Sequence, residues 1–277
     1  VADGGYDFTS TVADTSFWWI QGKMGQLCVV MFLFFSGYGV MSSIAAGGKE
    51  YVRSMPRHRI LGTLVNFDIA VLIYAVVQLI AGKTYPIGQY LLALTGWESI
   101  GNSCWYIFCI VACYLITWIS ASTALSGGDR AGLRKILPFT LILTAILYVI
   151  LLLTKEPYWY KTLVAYPLGI AAFWLKPSLD NMGKGRWWLF LLTATACWIA
   201  TYPKHEDPYQ LVYCIRTLAF AAVVILLLRR FRIGNPVLEW LGRNLFPISI
   251  YQRLFMMFIP AANPYIFIPA GFALTLL

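Results

Sequence analysis

Eight predominantly apolar stretches of 14 to 22 residues are the feature that most constrains how this chain can fold. A helix of about 20 apolar residues crosses the hydrocarbon core of a bilayer. The predicted spans cover residues 26–46, 61–82, 104–125, 136–154, 162–175, 187–202, 208–228 and 244–262. Residues 266–277 begin a ninth apolar stretch. The sequence therefore predicts an all-α fold, a polytopic transmembrane helix bundle with eight full spans and a partial ninth.

The composition agrees with a chain embedded in a membrane. Hydrophobic residues make up 60% of the 277 residues and charged residues 12%, whereas about 25% of a typical soluble domain is charged. So few charges cannot coat a soluble globule of this size, which excludes a soluble enzyme and a disordered chain. Residues 1–277 are interpreted as a single integral-membrane domain. Both ends are expected to be truncated, with a first helix missing before Val1 and the last helix cut at Leu277.

The basic residues are concentrated in alternate connecting segments. Segments 47–60, 126–135, 176–186 and 229–243 contain 14 Lys and Arg residues and four acidic residues. The intervening segments contain five Lys, no Arg and seven acidic residues. The positive-inside rule places the basic segments in the cytoplasm, so the net charge of +9 follows from topology. The lipid bilayer is therefore an expected partner, and the charge gives no reason to expect nucleic acid.

Three ionisable residues lie inside the predicted spans, where charge is costly and often functional. They are Asp68, Arg216 and Arg253. Asp68 and Arg253 are predicted at similar depths, so they are candidates for a structural ion pair or for a polar pathway through the bundle. Pro247 precedes Arg253 in the same span and cannot donate to the carbonyl four residues earlier, which predicts a kink in that helix.

Two further patterns leave alternatives open. Residues 34–39 read Phe-Phe-Ser-Gly-Tyr-Gly, which is typical of close helix packing or of a site where a ligand approaches the backbone. Arg53, Arg57 and Arg59 form a dense cluster in the first cytoplasmic segment. Because guanidinium groups bind phosphate well, the cluster is a candidate site for a phosphorylated cofactor or for anionic lipid headgroups. The sequence contains no ligand set with metal-binding spacing, so no metal is predicted.

Four short motifs occur in the same order as in a known family. They are Phe-Phe-Ser-Gly-Tyr at 34–38, Arg-x-x-x-Arg-x-Arg-Ile at 53–60, Asn-Ser-Cys-Trp-Tyr at 102–106, and Trp-Leu-Gly-Arg-Asn-Leu-Phe at 240–246 followed by Ser-Ile-Tyr at 249–251. Together with the predicted topology, they make the chain resemble the acyltransferase 3 family of bacterial integral-membrane acyltransferases. The resemblance extends from near the start of the chain to its end.

The resemblance implies a multi-pass enzyme of the bacterial cytoplasmic membrane. It would move an acyl group, often acetyl, from cytoplasmic acyl-CoA to a hydroxyl of a cell-envelope glycan or a related small acceptor, without a metal. Arg53, Arg57 and Arg59 would then bind acyl-CoA. Family members carry a catalytic His on their first helix, which would precede Val1. The base is therefore expected outside this sequence, and the fragment alone need not be active.

Weaker catalytic candidates lie within the chain itself. They are Arg253, Gln252 and Asp68. The pair Gln252-Arg253 stands in the region where many family members have a His. The candidates for a substrate path are Ser36, Trp105, Arg216 and Tyr251.

The residues alone leave two other classes of function open. A transporter or flippase would also use intramembrane charges and proline-interrupted helices, although no inverted repeat is apparent. A non-catalytic membrane anchor or sensing module would need no histidine base. Acyl-CoA-dependent labelling of a glycan would distinguish the enzyme from both alternatives.

Overall fold

The helices of the structure follow the apolar stretches of the sequence. The computed structural model describes residues 11–127, 132–202, 210–231, 234–256 and 264–276. These residues form eleven α-helices and no strand, which confirms the all-α prediction for this part of the chain. The helices are α1 (Val12–Met55), α2 (Gly62–Ile80), α3 (Ile87–Leu94), α4 (Trp105–Ala124), α5 (Leu133–Thr154), α6 (Ala165–Asp180), α7 (Lys184–Ala200), α8 (Gln210–Arg230), α9 (Pro236–Arg243), α10 (Leu245–Met256) and α11 (Pro264–Leu276).

Every predicted span contains an α-helix, but the helices differ in length. Four helical stretches among the described residues are long and apolar enough to cross a bilayer. They are Leu27–Ile80, Trp105–Ala124, Leu133–Thr154 and Val212–Arg230. Helices α6, α7 and α10 have 16, 17 and 12 residues, fewer than the length of about 20 that a span usually needs. The long apolar helices indicate a membrane protein.

The outward faces of the long helices are apolar. Leu72 on α2 is 60% exposed, and Ile142 on α5 is 59% exposed. Other large aliphatic side chains on the same two helices are exposed as well, including Val76 and Leu153. Extended apolar faces of this kind are unfavourable in water and favourable in hydrocarbon. Exposure therefore supports the same conclusion as helix length.

Helix α1 is longer at both ends than the predicted first span. It begins at Val12 rather than near residue 26, and it continues to Met55. Gly48 interrupts it with φ 54° and ψ −140°, a backbone conformation that glycine adopts readily and other residues avoid. A π-helical turn, Pro56–Leu61, then leads directly into α2. The first predicted cytoplasmic segment is therefore largely helical.

Pro247 accompanies a break in the helical path, as its position predicts. Because proline has no N–H, Pro247 cannot bond to the carbonyl of Arg243. Helix α9 ends at Arg243 and α10 begins at Leu245. Pro247 then lies in the first turn of α10, where the N–H groups have no partner within the helix. The break between α9 and α10 is a stronger interruption than the predicted kink.

The chain divides into two compact units. The first consists of Val1–Gly22, Leu61–Phe108 and Gly234–Leu277, and we call it the α2–α10 unit. In it, α2 packs against α3 and α10, and α10 packs against α9 and α11. The buried hydroxyl of Tyr74 on α2 donates to the carbonyl of Ile250 on α10 across 2.9 Å. This bond fixes α2 and α10 to each other.

The second unit, which we call the α6–α8 unit, consists of Lys23–Ile60 and Cys109–Ile233. In it, α7 packs against α8, and α6 packs against α5 and α8. The indole ring of Trp187 on α7 is buried against α8, and its N–H donates to the carbonyl of Leu226 across 2.9 Å. An apolar cluster and one directional hydrogen bond therefore hold the α7–α8 pair together.

Within the α6–α8 unit, α1 and α6 cross at two glycines. A Cβ atom added to Gly37 would overlap the carbonyl of Tyr166, and one added to Gly169 would overlap the carbonyl of Phe34. The two backbones can approach this closely because neither glycine has a side chain. Close helix packing, one of the two predictions for this segment, is thus confirmed at Gly37. A Cβ atom at Gly39 would meet nothing within 4 Å.

Candidate functional site

The break at Gly48 and the π-helical turn organise the basic end of α1. We call residues 49–59 the basic segment. Lys49 and Arg53 lie four residues apart near the end of α1, so their side chains leave the helix on one face. Arg57 and Arg59 follow in the π-helical turn, where the spacing of side chains differs. The local backbone therefore separates Arg53 from the two later arginines.

An open cavity of about 300 Å³ lies between the ends of α1 and α4. It is lined by Lys49, Val52, Arg53, Ala121, Ser122, Leu125 and Ser126. The ammonium group of Lys49 donates to the carbonyl of Ser126 across 3.2 Å and has two further N–H donors. Arg53 is exposed and carries a planar fork of donors. A lining that combines two cationic side chains with two serines suits the binding of a phosphate group.

Arg57 and Arg59 have different surroundings. Arg57 is exposed and does not line the cavity. Arg59 is half-buried, and its Nε donates to the hydroxyl of Tyr51 across 3.1 Å. This bond ties the π-helical turn back to α1. Of the three arginines predicted to bind acyl-CoA, Arg53 lines the cavity and the other two do not.

Sequence reasoning missed three polar residues of the cavity, Lys49, Ser122 and Ser126. The sequence contains a usable signal, because Lys49 is one helical turn before Arg53 and the two serines are one turn apart. Periodicity cannot show that the ends of α1 and α4 meet. The cavity could therefore not be predicted from the sequence.

Arg216 on α8 is only 3% exposed, and its guanidinium group interacts with a backbone carbonyl and with two aromatic rings. Its Nε donates across 3.1 Å to the carbonyl of Thr201, next to the end of α7, and its Nη2 donates to the same oxygen. The rings of Tyr202 and Tyr213 lie 4.5 and 5.4 Å from its guanidinium carbon. A helix C-terminus and aromatic faces both favour a cation. Arg216 thus holds α7 to α8, and its predicted place on a substrate path stays a prediction.

Asp68, Trp105 and Tyr251 belong to the α2–α10 unit. Asp68 lies on α2 and Tyr251 on α10, two helices that pack together. The Oδ1 atom of Asp68 is buried and has no hydrogen-bond partner among the described residues. Tyr251 is half-buried, and Trp105 begins α4 with its ring 6.3 Å from that of Tyr106. The unit therefore brings the helices of Asp68 and Tyr251 together.

Two predicted catalytic side chains, those of Gln252 and Arg253, lie outside the part of the structure that is described. The pairing of Asp68 with Arg253 consequently stays a prediction, although their helices are neighbours. Ser36 belongs to the α6–α8 unit, where it is half-buried next to Gly37 in the crossing of α1 with α6.

The motif at 102–106 begins with a residue that shapes the preceding loop. Asn102 is 2% exposed, and its Oδ1 accepts from the backbone N–H of Ile100 across 3.1 Å. Gln78 on α2 is equally buried, and its Nε2 donates to the carbonyl of Ile100 across 3.0 Å. These bonds hold the loop before α4 against α2. A structural role therefore explains Asn102.

Comparisons with known proteins do not assign a family. No family model matches the chain, and no match is found among curated proteins or solved structures. The resemblance to the acyltransferase 3 family therefore depends on the four motifs and on the predicted topology.

Proposed function

We propose that this protein is a membrane acyltransferase of the acyltransferase 3 type. It moves an acyl group, by our proposal acetyl, from cytoplasmic acyl-CoA to a hydroxyl of a cell-envelope glycan or related small acceptor. The cavity lined by Lys49 and Arg53 carries the proposal. Its cationic lining includes the first residue of the second family-like motif, where the resemblance expects the acyl-CoA site, and cationic side chains of this kind suit phosphate, which supports the proposal.

The proposed topology has eight spans in the bacterial cytoplasmic membrane. The spans are α1, α2, α4, α5, α6, α7, α8 and α10, and α11 belongs to the partial ninth. The excess of Lys and Arg places the basic segment on the cytoplasmic side. With this orientation, the cavity opens to the compartment that contains acyl-CoA.

The reaction transfers an acyl group from sulfur to oxygen. The hydroxyl oxygen of the acceptor attacks the thioester carbonyl carbon, so that a C–O bond forms and the C–S bond breaks. The hydroxyl proton passes to a base, and the departing CoA thiolate takes up a proton. Lys49 and Arg53 contribute by holding the phosphate groups of CoA, which positions the thioester for attack.

The remaining candidates have supporting roles in this proposal. In the family that the chain resembles, the base is a histidine on the first helix, and the proposal assigns no base among residues 1–277. Gln252 and Arg253 are candidates for stabilising the developing oxyanion, and Asp68 is a candidate for orienting them from the adjacent helix. Normal turnover and normal folding of an Arg253→Ala variant would remove Arg253 from the mechanism.

Acetyl-CoA binding to the purified protein in nanodiscs tests the role of the cavity. Arg53→Gln should raise the Kd by about tenfold, because it removes a charged hydrogen-bond donor to phosphate. Arg57→Gln changes an exposed arginine outside the cavity and should raise the Kd by about twofold at most, through long-range charge alone. Isothermal titration calorimetry provides both values.

Arg186→Gln is the matched control, because Arg186 is an exposed arginine of a different predicted cytoplasmic segment, 176–186, which contributes no residue to the cavity. Its Kd should equal that of the unmodified protein. An unchanged Kd in Arg53→Gln would contradict the proposed cavity. Transfer of labelled acetyl from acetyl-CoA to an envelope glycan tests the reaction itself, whereas substrate flux without acyl-CoA would indicate a transporter.

A further inference from the structure

Two neighbouring cavities lie where α6 and α8 end, far along the chain from the basic segment. One, of about 160 Å³, has aromatic and aliphatic walls and includes Lys176. The other, of about 360 Å³, includes Asp180, Trp187 and Arg230. Both are lined by Leu179 and Arg229, so they adjoin. We call the two cavities together the basic groove.

The basic groove has an excess of positive charge. Lys176, Arg229 and Arg230 contribute three positive charges and Asp180 one negative charge, which leaves a net charge of +2. Arg229 forms an ion pair with Asp180. Arg230 lies over the ring of Trp187, with 5.3 Å between its guanidinium carbon and the ring centroid. Lys176 is exposed and makes no ion pair within the described part of the chain. The groove can therefore attract an anion.

One wall of the basic groove is apolar and accessible. Phe35 on α1 is 48% exposed, and Leu228 on α8 is 41% exposed. Ile225 extends the same wall along α8. A soluble phosphate compound has no hydrocarbon chain to cover such a wall, whereas the acyl chain of a lipid covers it. The combination of cations and apolar wall suits an amphipathic anion.

The position of the basic groove matches the membrane boundary. Lys176 and Arg229 lie at the ends of the predicted spans 162–175 and 208–228, where both enter the cytoplasmic side. Basic pockets between spans on that side are suited to anionic lipid headgroups. The wall formed by Phe35 and Leu228 belongs to the spanning stretches Leu27–Ile80 and Val212–Arg230.

We propose that the basic groove binds an anionic glycerophospholipid of the surrounding bilayer. The lipid phosphate lies among Lys176, Arg229 and Arg230, and one acyl chain follows Phe35 and Leu228. The lipid joins the ends of α6 and α8 to α1 at the cytoplasmic boundary. The proposal goes beyond acyl transfer, because it requires membrane placement of the α6–α8 unit and no catalytic activity.

Native mass spectrometry of the purified protein tests the proposal. The protein is equilibrated in micelles that contain equal amounts of phosphatidylglycerol and phosphatidylcholine. The unmodified protein should retain phosphatidylglycerol about tenfold more than phosphatidylcholine, given the net charge of two in the groove. The double variant Lys176→Gln, Arg230→Gln should lose most of this preference, a drop of about tenfold. Equal retention of both lipids by the unmodified protein would overturn the proposal.

Arg186→Gln is the matched control, because Arg186 is an exposed arginine near the start of α7 that lines neither cavity. It should keep the preference, and a loss as large as that of the double variant would overturn the proposal. Asp180→Asn removes the carboxylate that pairs with Arg229 and should increase retention of phosphatidylglycerol by about threefold. Unchanged or lower retention of phosphatidylglycerol in that variant would also contradict lipid binding in the basic groove.

Soluble glycerol 1-phosphate distinguishes a lipid site from a free-phosphate site. In the same measurement, a hundredfold excess over lipid should leave phosphatidylglycerol bound, because the soluble compound has no acyl chain for the apolar wall. Displacement would overturn the lipid proposal in favour of a phosphate site. Far-UV circular dichroism checks that each variant is folded. If the double variant does not fold, the single variant Lys176→Gln replaces it, with an expected loss of about threefold.

Discussion

The middle and the end of α1 depend on glycine for opposite reasons. At Gly37, the missing Cβ lets α1 contact the backbone of α6. At Gly48, the positive φ lets the helix break before Lys49 and Arg53, which line an open cavity. The first region is packed, and the second is accessible. Both contain a family-like motif, so a motif match alone does not distinguish a residue that packs from a residue that binds.

The largest expected effect comes from closing the packed region. Gly37→Ala should lower the free energy of unfolding by about 3 kcal/mol, because the new Cβ overlaps a backbone carbonyl that can move only with the whole of α6. Gly169→Ala should have a similar effect from the opposite side of the crossing. Titration of the protein in mixed micelles with a denaturing detergent measures both changes.

Gly39→Ala provides the matched control for this crossing. Gly39 is two residues from Gly37 on the same helix, and its Cβ would enter open space. Because alanine has the higher helix propensity, stability should stay the same or rise by up to about 1 kcal/mol. Equal stability of Gly37→Ala and Gly39→Ala would show that the crossing is not tightly packed.

A smaller effect is expected where α1 breaks. Gly48→Ala should lower the free energy of unfolding by about 2 kcal/mol, because a side chain is strained at φ 54° and ψ −140°. The same change should weaken acetyl-CoA binding, since relief of the strain reorients Lys49 and Arg53. Arg53→Gln should weaken acetyl-CoA binding without lowering the free energy of unfolding. Gly48→Ala therefore tests the position of the two cations, and Arg53→Gln tests the charge of one of them.

Gly185→Ala controls for the general effect of replacing a helical glycine. Gly185 lies in the first turn of α7, has no positive φ, and would place its Cβ in open space. Neither stability nor acetyl-CoA affinity should fall in this variant. If Gly48→Ala behaves in the same way, the break is not what positions the basic segment.

The sequence could predict where most helices lie because the signal is local. The span predicted at 104–125 corresponds to α4 (Trp105–Ala124), and the span predicted at 136–154 ends with α5 (Leu133–Thr154) at the same residue. A long apolar run forms a helix whatever surrounds it, since backbone groups in hydrocarbon must bond within the segment. Hydropathy thus locates helices without knowledge of their neighbours.

The first predicted span omits the start of α1, because hydropathy gives no signal for polar helical turns. Thr11 and Asp14 form a capping pattern, in which the N–H of Asp14 donates to the hydroxyl of Thr11 across 3.1 Å. The spacing of these two residues matches the capping box, which marks a helix start. The carboxylate of Asp14 is 1% exposed and also accepts from the hydroxyl of Tyr265 across 2.8 Å. Only the first of these contacts could be predicted from the sequence.

Contacts between distant segments could not be predicted, because helices in a membrane can be apolar on every side. The sequence predicts Arg53 in a cytoplasmic arginine cluster and Arg216 inside a span, but it does not indicate what either side chain contacts. The structure leaves Arg53 exposed at a cavity and buries Arg216 against Thr201. This difference depends on which helix ends meet, and the hydropathy pattern of a single helix contains no information about it.

The smallest effect is expected inside the basic segment, where one arginine is tied down. Tyr51→Phe removes the hydroxyl that accepts from Arg59, and it should lower the free energy of unfolding by about 1 kcal/mol. Acetyl-CoA affinity should change by less than about twofold, because Arg59 does not line the cavity and keeps its positive charge in this variant. Tyr38→Phe, on the same helix, is the control for loss of a phenol that does not bond to Arg59. A tenfold change of affinity in Tyr51→Phe would mean that Arg59 binds the ligand together with Arg53, so that the accessible region of α1 extends through the π-helical turn.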